Sequence, residues 1–105
     1  MPSARIEQLQ NFLQQSPADP FLHHAIALEL IKDGEDQSAE KHFRTNLDAV
    51  PDYVATYYHL GKLLERNGHA DEAMAIYERG MVIAKAGGDM HTYSELQSAY
   101  EDLAY

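Results

Sequence analysis

Tyr57-Tyr58-His59-Leu60-Gly61-Lys62-Leu63-Leu64-Glu65-Arg66-Asn67-Gly68 is echoed thirty-four residues earlier by the stretch from His23 to Gly34. Ile26, Ala27 and Leu30 answer Leu60, Gly61 and Leu64, and Lys32, Asp33 and Gly34 answer Arg66, Asn67 and Gly68. The same offset continues downstream, where Ala39 answers Ala73 and Phe43 answers Tyr77. Replacements of like size at one fixed offset identify a repeated structural unit, and they set the frame for the rest of the chain.

Outward from this stretch, every segment has helical periodicity. From Ser3 to Gln15, Ile6, Leu9, Phe12 and Leu13 form one apolar stripe, and Pro17 ends the helix. Asp19-Pro20 supplies an N-cap and a first-turn proline for a helix to about Asp33, with Gly34 as its stop. Asp36 starts the next helix, which turns Ala39, Phe43, Asn46, Leu47 and Val50 inward and closes at Pro51. Asp52 is expected to cap the helix carrying Val54, Tyr57, Leu60, Gly61 and Leu64 on one face, with Gly68 at its end. A helix from Ala70 to about Lys85 follows, then the Gly87-Gly88 break, then a helix from Asp89 with Met90, Tyr93, Leu96, Tyr100 and Leu103 as its apolar positions. No stretch alternates with period two, so no strand is expected.

Composition narrows the function. At 105 residues, with 45% hydrophobic content, three phenylalanines and seven tyrosines, the chain carries enough apolar surface for one core. It has no cysteine, which removes disulfides and thiolate sites. Seventeen acids against eight bases give a net charge of -9, which disfavours nucleic acid and anionic membrane as partners. The apolar runs are short and the opening Met1-Pro2-Ser3-Ala4-Arg5 lacks the core of a signal peptide, so the expected location is cytoplasmic.

Tyr57-x-x-Leu60-Gly61-x-x-Leu64 followed by Ala73-x-x-x-Tyr77 resembles the tetratricopeptide repeat, whose period is the offset found here. The first repeat fits as His23-x-x-Ile26-Ala27-x-x-Leu30, Ala39-x-x-x-Phe43 and Pro51, and the opening helix resembles the second half of a repeat through Leu9 and Pro17. The resemblance spans residues 4 to 87. It departs from the family pattern at His23, where an aromatic is usual, at Asn46, where a small residue is usual, and at Lys85, where a proline is usual. The last departure implies that its helix runs past the customary end. The expected fold is all-α, an α-α superhelix of about six helices in antiparallel hairpins. It makes a single domain over 1–105, with an N-terminal half-repeat (3–17), repeat 1 (20–53), repeat 2 (54–87) and a C-terminal capping helix (89–104).

The residues that carry catalytic chemistry elsewhere have no matching pattern here. His23 and His24 are adjacent, about 100° apart around a helix, so one is expected inward and the other outward. No metalloprotease helix motif, phosphate-binding glycine loop or nucleophile elbow occurs, and no cofactor or metal is expected. His23 reads as a core residue, and His42, His69 and His91 as solvated ones. The resemblance implies instead that the first helix of each repeat lines a concave groove for a partner protein or peptide. On that face lie Phe21, His24 and Leu28 in repeat 1 and Tyr58, His59, Lys62 and Arg66 in repeat 2. Family members that hold carboxylate-ended chaperone tails clamp them with lysine and asparagines; His24, Leu28 and His59 occupy the corresponding places, so that ligand is disfavoured. The rival reading is self-association through the tyrosine-bearing last helix, Tyr93, Tyr100 and Tyr105, although a monomer capped by Tyr93 and Tyr100 is the preferred expectation.

Overall fold

The computed structural model describes residues 4–105, and among these the regular structure is helical throughout. Six helices follow in order: α1 Ala4–Gln15, α2 Pro20–Lys32, α3 Asp36–Ala49, α4 Ala55–Arg66, α5 Ala70–Ala86 and α6 Met90–Ala104. The expected start of α1 at Ser3 lies outside the described residues. The chain divides into two compact units, Met1–Tyr53 and Val54–Tyr105.

In the first unit the helix signals act as the sequence implies. The Phe21 N–H donates to Asp19 Oδ1 at 2.9 Å, so Asp19 caps α2 with Pro20 as its first residue. At the other end Gly34 takes φ +77°, a region a side chain rarely adopts. Gly34 N–H then reaches the Ile31 carbonyl at 3.1 Å and Glu35 N–H the Leu30 carbonyl at 2.8 Å. This paired closure reverses the chain directly after the helix. It recurs after α4, where Gly68 has φ +84° and His69 N–H bonds Leu64 O at 2.8 Å. The repeat is therefore kept in its turns as well as its apolar positions.

Helix α2 is covered on two sides. Leu22, Ala25 and Ile26 pack with Leu9 of α1, with Leu13 and Leu30 at the edge of the cluster. Ala27, Ala39, Phe43 and Leu47 are also buried, Ala27, Ala39 and Phe43 completely. Asn46, the departure from the family's small residue, is 1% exposed and its Nδ2 donates to the Pro20 carbonyl at 2.9 Å. Its amide thus ties α3 to the first turn of α2.

In the second unit two glycines set the spacing of the helices. The Tyr77 ring lies against Gly61, where an added Cβ would come within 2.2 Å of Tyr77 Cε1. At Gly80 of α5 an added Cβ would come within 2.5 Å of Tyr57 Cβ and 2.9 Å of Leu96 Cδ1. The Gly61 approach is the one the repeat implies; the Gly80 approach, which brings α4, α5 and α6 together, has no counterpart in the sequence reading. Tyr57, Leu60, Tyr77 and Leu96 are all fully buried around these contacts.

Five expectations need correction. Asp52 does not cap α4: the helix begins at Ala55 with Val54 at the cap position and no side-chain bond there, because Tyr53 N–H closes a turn on Val50 O at 3.0 Å. Phe12 is 50% exposed and Met90 52% exposed, so the inward stripes of α1 and α6 are narrower than their periodicity implies. His24 is buried, not outward, and His42 is half-buried, not solvated. The extension of α5 beyond Lys85 occurs as expected, ending at Ala86.

Candidate functional site

The second unit contains a cleft of about 350 Å³ between α4 and α6. Tyr58 and Lys62, one helical turn apart on α4, form one wall; Ser94, Glu95, Ser98 and Asp102 form the other, with His91 at its start. Lys62 Nζ lies 5.7 Å from the centre of the Tyr58 ring and 3.6 Å from Glu65 Oε2. The Tyr77 hydroxyl donates to the same Glu65 oxygen, and burial followed by this bond pushes the Tyr77 phenol well above its ordinary range. The His59 ring meets Tyr58 edge-on at 5.5 Å. Burial lowers its pKa, opposed by the charge of Glu95 on α6. Arg66, in the last turn of α4, is exposed and stands outside the cleft lining.

The residues expected on the first repeat's surface fare differently. Phe21 is 58% exposed and Leu28 half-buried. His24 is 8% exposed, its ring 5.8 Å from Phe43 and 5.7 Å from Tyr53, so it is packing material inside the first unit. A helix covered on both sides has no outward position at its centre, which is why adjacent His23 and His24 are both enclosed.

The α6 wall was not anticipated. Ser94, Glu95, Ser98 and Asp102 each lie thirty-six positions after Tyr58, His59, Lys62 and Arg66, so they occupy the same face of a related helix at a slightly longer offset. The longer offset accompanies the lengthened α5, at 17 residues against 14 for α3. The available signal was Leu96, which follows Leu60 by that same interval and takes the same buried place.

A second polar cluster lies in the first unit. His23 Nε2–H donates to the Pro17 carbonyl at 2.8 Å, leaving His23 Nδ1 to accept from His42 Nδ1–H at 2.9 Å. This chain joins the loop after α1 to α2 and α3. Burial, then the neighbouring His23, holds His42 below the ordinary histidine value of 6.5. Because its folded pKa is the lower one, the unfolded chain takes up the proton first as pH falls. Its contribution is complete above about pH 6.5 and lost below it. Thermal unfolding followed between pH 7 and 5 should show a falling midpoint, and His42→Gln should flatten that dependence; an equally steep profile in the variant refutes this role. Among the described residues no group of three or more potential ligands is placed to hold a metal ion. Nor is any helix there long and apolar enough to cross a membrane.

Paired antiparallel helices closed by identical glycine turns, with an open cleft along one helix face, define a helical-repeat protein built to present a surface to other proteins. No family model matches the chain, and no curated protein does. Solved structures do: a tetratricopeptide repeat domain protein from Salinibacter ruber is 40% identical, over 82% of this chain and 96% of that one, with a TM-score of 0.78. A protein from Bordetella parapertussis is 28% identical over 97% of this chain and 89% of its own, with a TM-score of 0.82. MamA, 24% identical with a TM-score of 0.74 over 95% of this chain and 54% of its own, shares the fold. The chain belongs to the tetratricopeptide repeat family.

Proposed function

We propose that the protein is a noncatalytic adaptor that holds a segment of a partner protein in the cleft between α4 and α6. The observation that carries this reading is the pairing of an aromatic face with an ammonium group, Tyr58 with Lys62, along a cleft walled by two helices. Aromatic side chains in concave, partly dry sites supply contact area at low entropic cost, which suits recognition of an extended peptide. Arg66 at the end of α4 and His59 beside Tyr58 extend the surface, and Phe21 with Leu28 on α2 offers an apolar anchor of its own. His24, being buried, is left out. A cytoplasmic location belongs to the same proposal.

Tyr58→Ala should sharply reduce capture of a partner in a pull-down read by mass spectrometry, with the helical circular dichroism unchanged. Unaltered capture by a folded variant would count against the cleft. Self-association through the terminal helices is the second reading, and the observation behind it is the exposure of Phe12 on α1, at 50%, and of Met90 and Tyr105 at the two ends of α6, at 52% and 97%. Light scattering over a concentration series separates the two.

A further inference from the structure

We infer that the α4–α6 cleft selects a basic segment, one presenting two lysine or arginine side chains about 10 Å apart. The inference rests on the reading of this cleft as a binding site and adds the chemical class of its occupant. Lys62 looks at first like a receptor for a carboxylate. Its ammonium, however, is already within 3.6 Å of Glu65 and rests over Tyr58, so part of its charge is met from within α4. The opposite wall is not balanced in this way. Glu95 has His91 beside it at 3.5 Å, a pair that carries opposite charges only when the imidazole is protonated, and Asp102 has no ion pair among the described residues.

Spacing then sharpens the chemistry. Glu95 and Asp102 are two turns apart on one face of α6, roughly 10 Å at about 1.5 Å per residue. A peptide in the polyproline II conformation advances ~3.1 Å per residue with three residues per turn, so side chains three positions apart share one face and lie roughly 9 Å apart, close to that separation. Between the two carboxylates the Ser98 hydroxyl offers a hydrogen-bond group to the peptide backbone, and across from them the Tyr58 ring, its cation contact already taken by Lys62, offers apolar area to the aliphatic stem of a lysine or arginine. The net charge of -9 favours approach of a basic chain from a distance, while the α6 carboxylates fix where it docks.

The test uses fluorescein-labelled octapeptide pools in which two positions three apart are fixed as arginine, as lysine or as glutamate, the others being degenerate. Fluorescence polarisation at low salt should give roughly tenfold tighter binding of the arginine and lysine pools than of the glutamate pool. In the Glu95→Gln/Asp102→Asn variant, which keeps most of the net charge, that preference should fall to near unity while the thermal midpoint stays in place. Equal or tighter binding of the glutamate pool overturns the inference, as does a preference that survives the double substitution. If all pools bind alike and Tyr58→Ala removes them, the cleft stands as a binding site and the charge selectivity falls. If no pool binds, or Tyr58→Ala changes nothing, the cleft reading falls and the inference with it.

Discussion

Gly80→Ala should lower the thermal midpoint by about 10 °C, although alanine is ordinarily the better helix residue. The propensity gain is at most about 1 kcal/mol. Against it stands a methyl group 2.5 Å from Tyr57 Cβ, 2.8 Å from Tyr57 Cγ and 2.9 Å from Leu96 Cδ1. Tyr57 Cβ sits next to the backbone and the ring is fully buried, so no rotamer change clears the contact. Overpacking of this kind costs roughly 1–3 kcal/mol, more where the neighbours cannot yield. A net loss of about 2 kcal/mol corresponds to the shift given, at ~4–8 °C per kcal/mol for a domain of this size. Gly87→Ala provides the contrast. There the nearest atom to an added Cβ is 3.6 Å away and φ is -86°, so the midpoint should hold or rise. Equal effects of the two substitutions, followed by circular dichroism on heating, would remove the special role given to Gly80.

Leu96→Ala should be at least as damaging. The side chain is fully buried where α6 meets Gly80, and leucine-to-alanine changes at such sites cost roughly 2–5 kcal/mol. That is a large part of the ~5–15 kcal/mol that holds a typical small protein folded. Because Leu96 seats α6 against α4 and α5 roughly 100–120° around the helix from Glu95 and Asp102, the substitution should also loosen one wall of the cleft. Hydrogen exchange is the informative measurement: amides of α6 should exchange faster by a larger factor than those of α2 and α3. Uniform acceleration across the chain, or none, would show that α6 is not held in the manner described.

Much of this architecture was legible because the repeat marks equivalent positions twice. Ala27 and Gly61, Leu30 and Leu64, and Gly34 and Gly68 each support the other, and the helix hairpins follow from their offset. What the sequence concealed has identifiable physical causes. Asp52 has the chemistry of a cap, yet the local turn through Tyr53 decides where α4 begins. His24 reads as outward only when α2 is given a single covered side; with α1 and α3 both packed on it, Leu22 to Ala27 are buried without interruption. Gly80 carries no signal by itself, since a helical glycine becomes informative only when its neighbour across the interface is known. The cleft was half visible. Tyr58 and Lys62, two of the α4 residues singled out in the sequence, line it while Arg66 stands outside, and the matching face of α6 lies off the thirty-four-residue register.

The contacts from Tyr77 through Glu65 and Lys62 to Tyr58 run from the buried seam of a hairpin to its surface. A long lysine side chain gives up about 2 kcal/mol of rotamer freedom when it is fixed. Here part of that ordering is complete before any partner arrives. On the proposed reading of the cleft, a partner would meet side chains already partly ordered, and a change confined to the interior, such as Tyr77→Phe, would reach it as a less rigid grip.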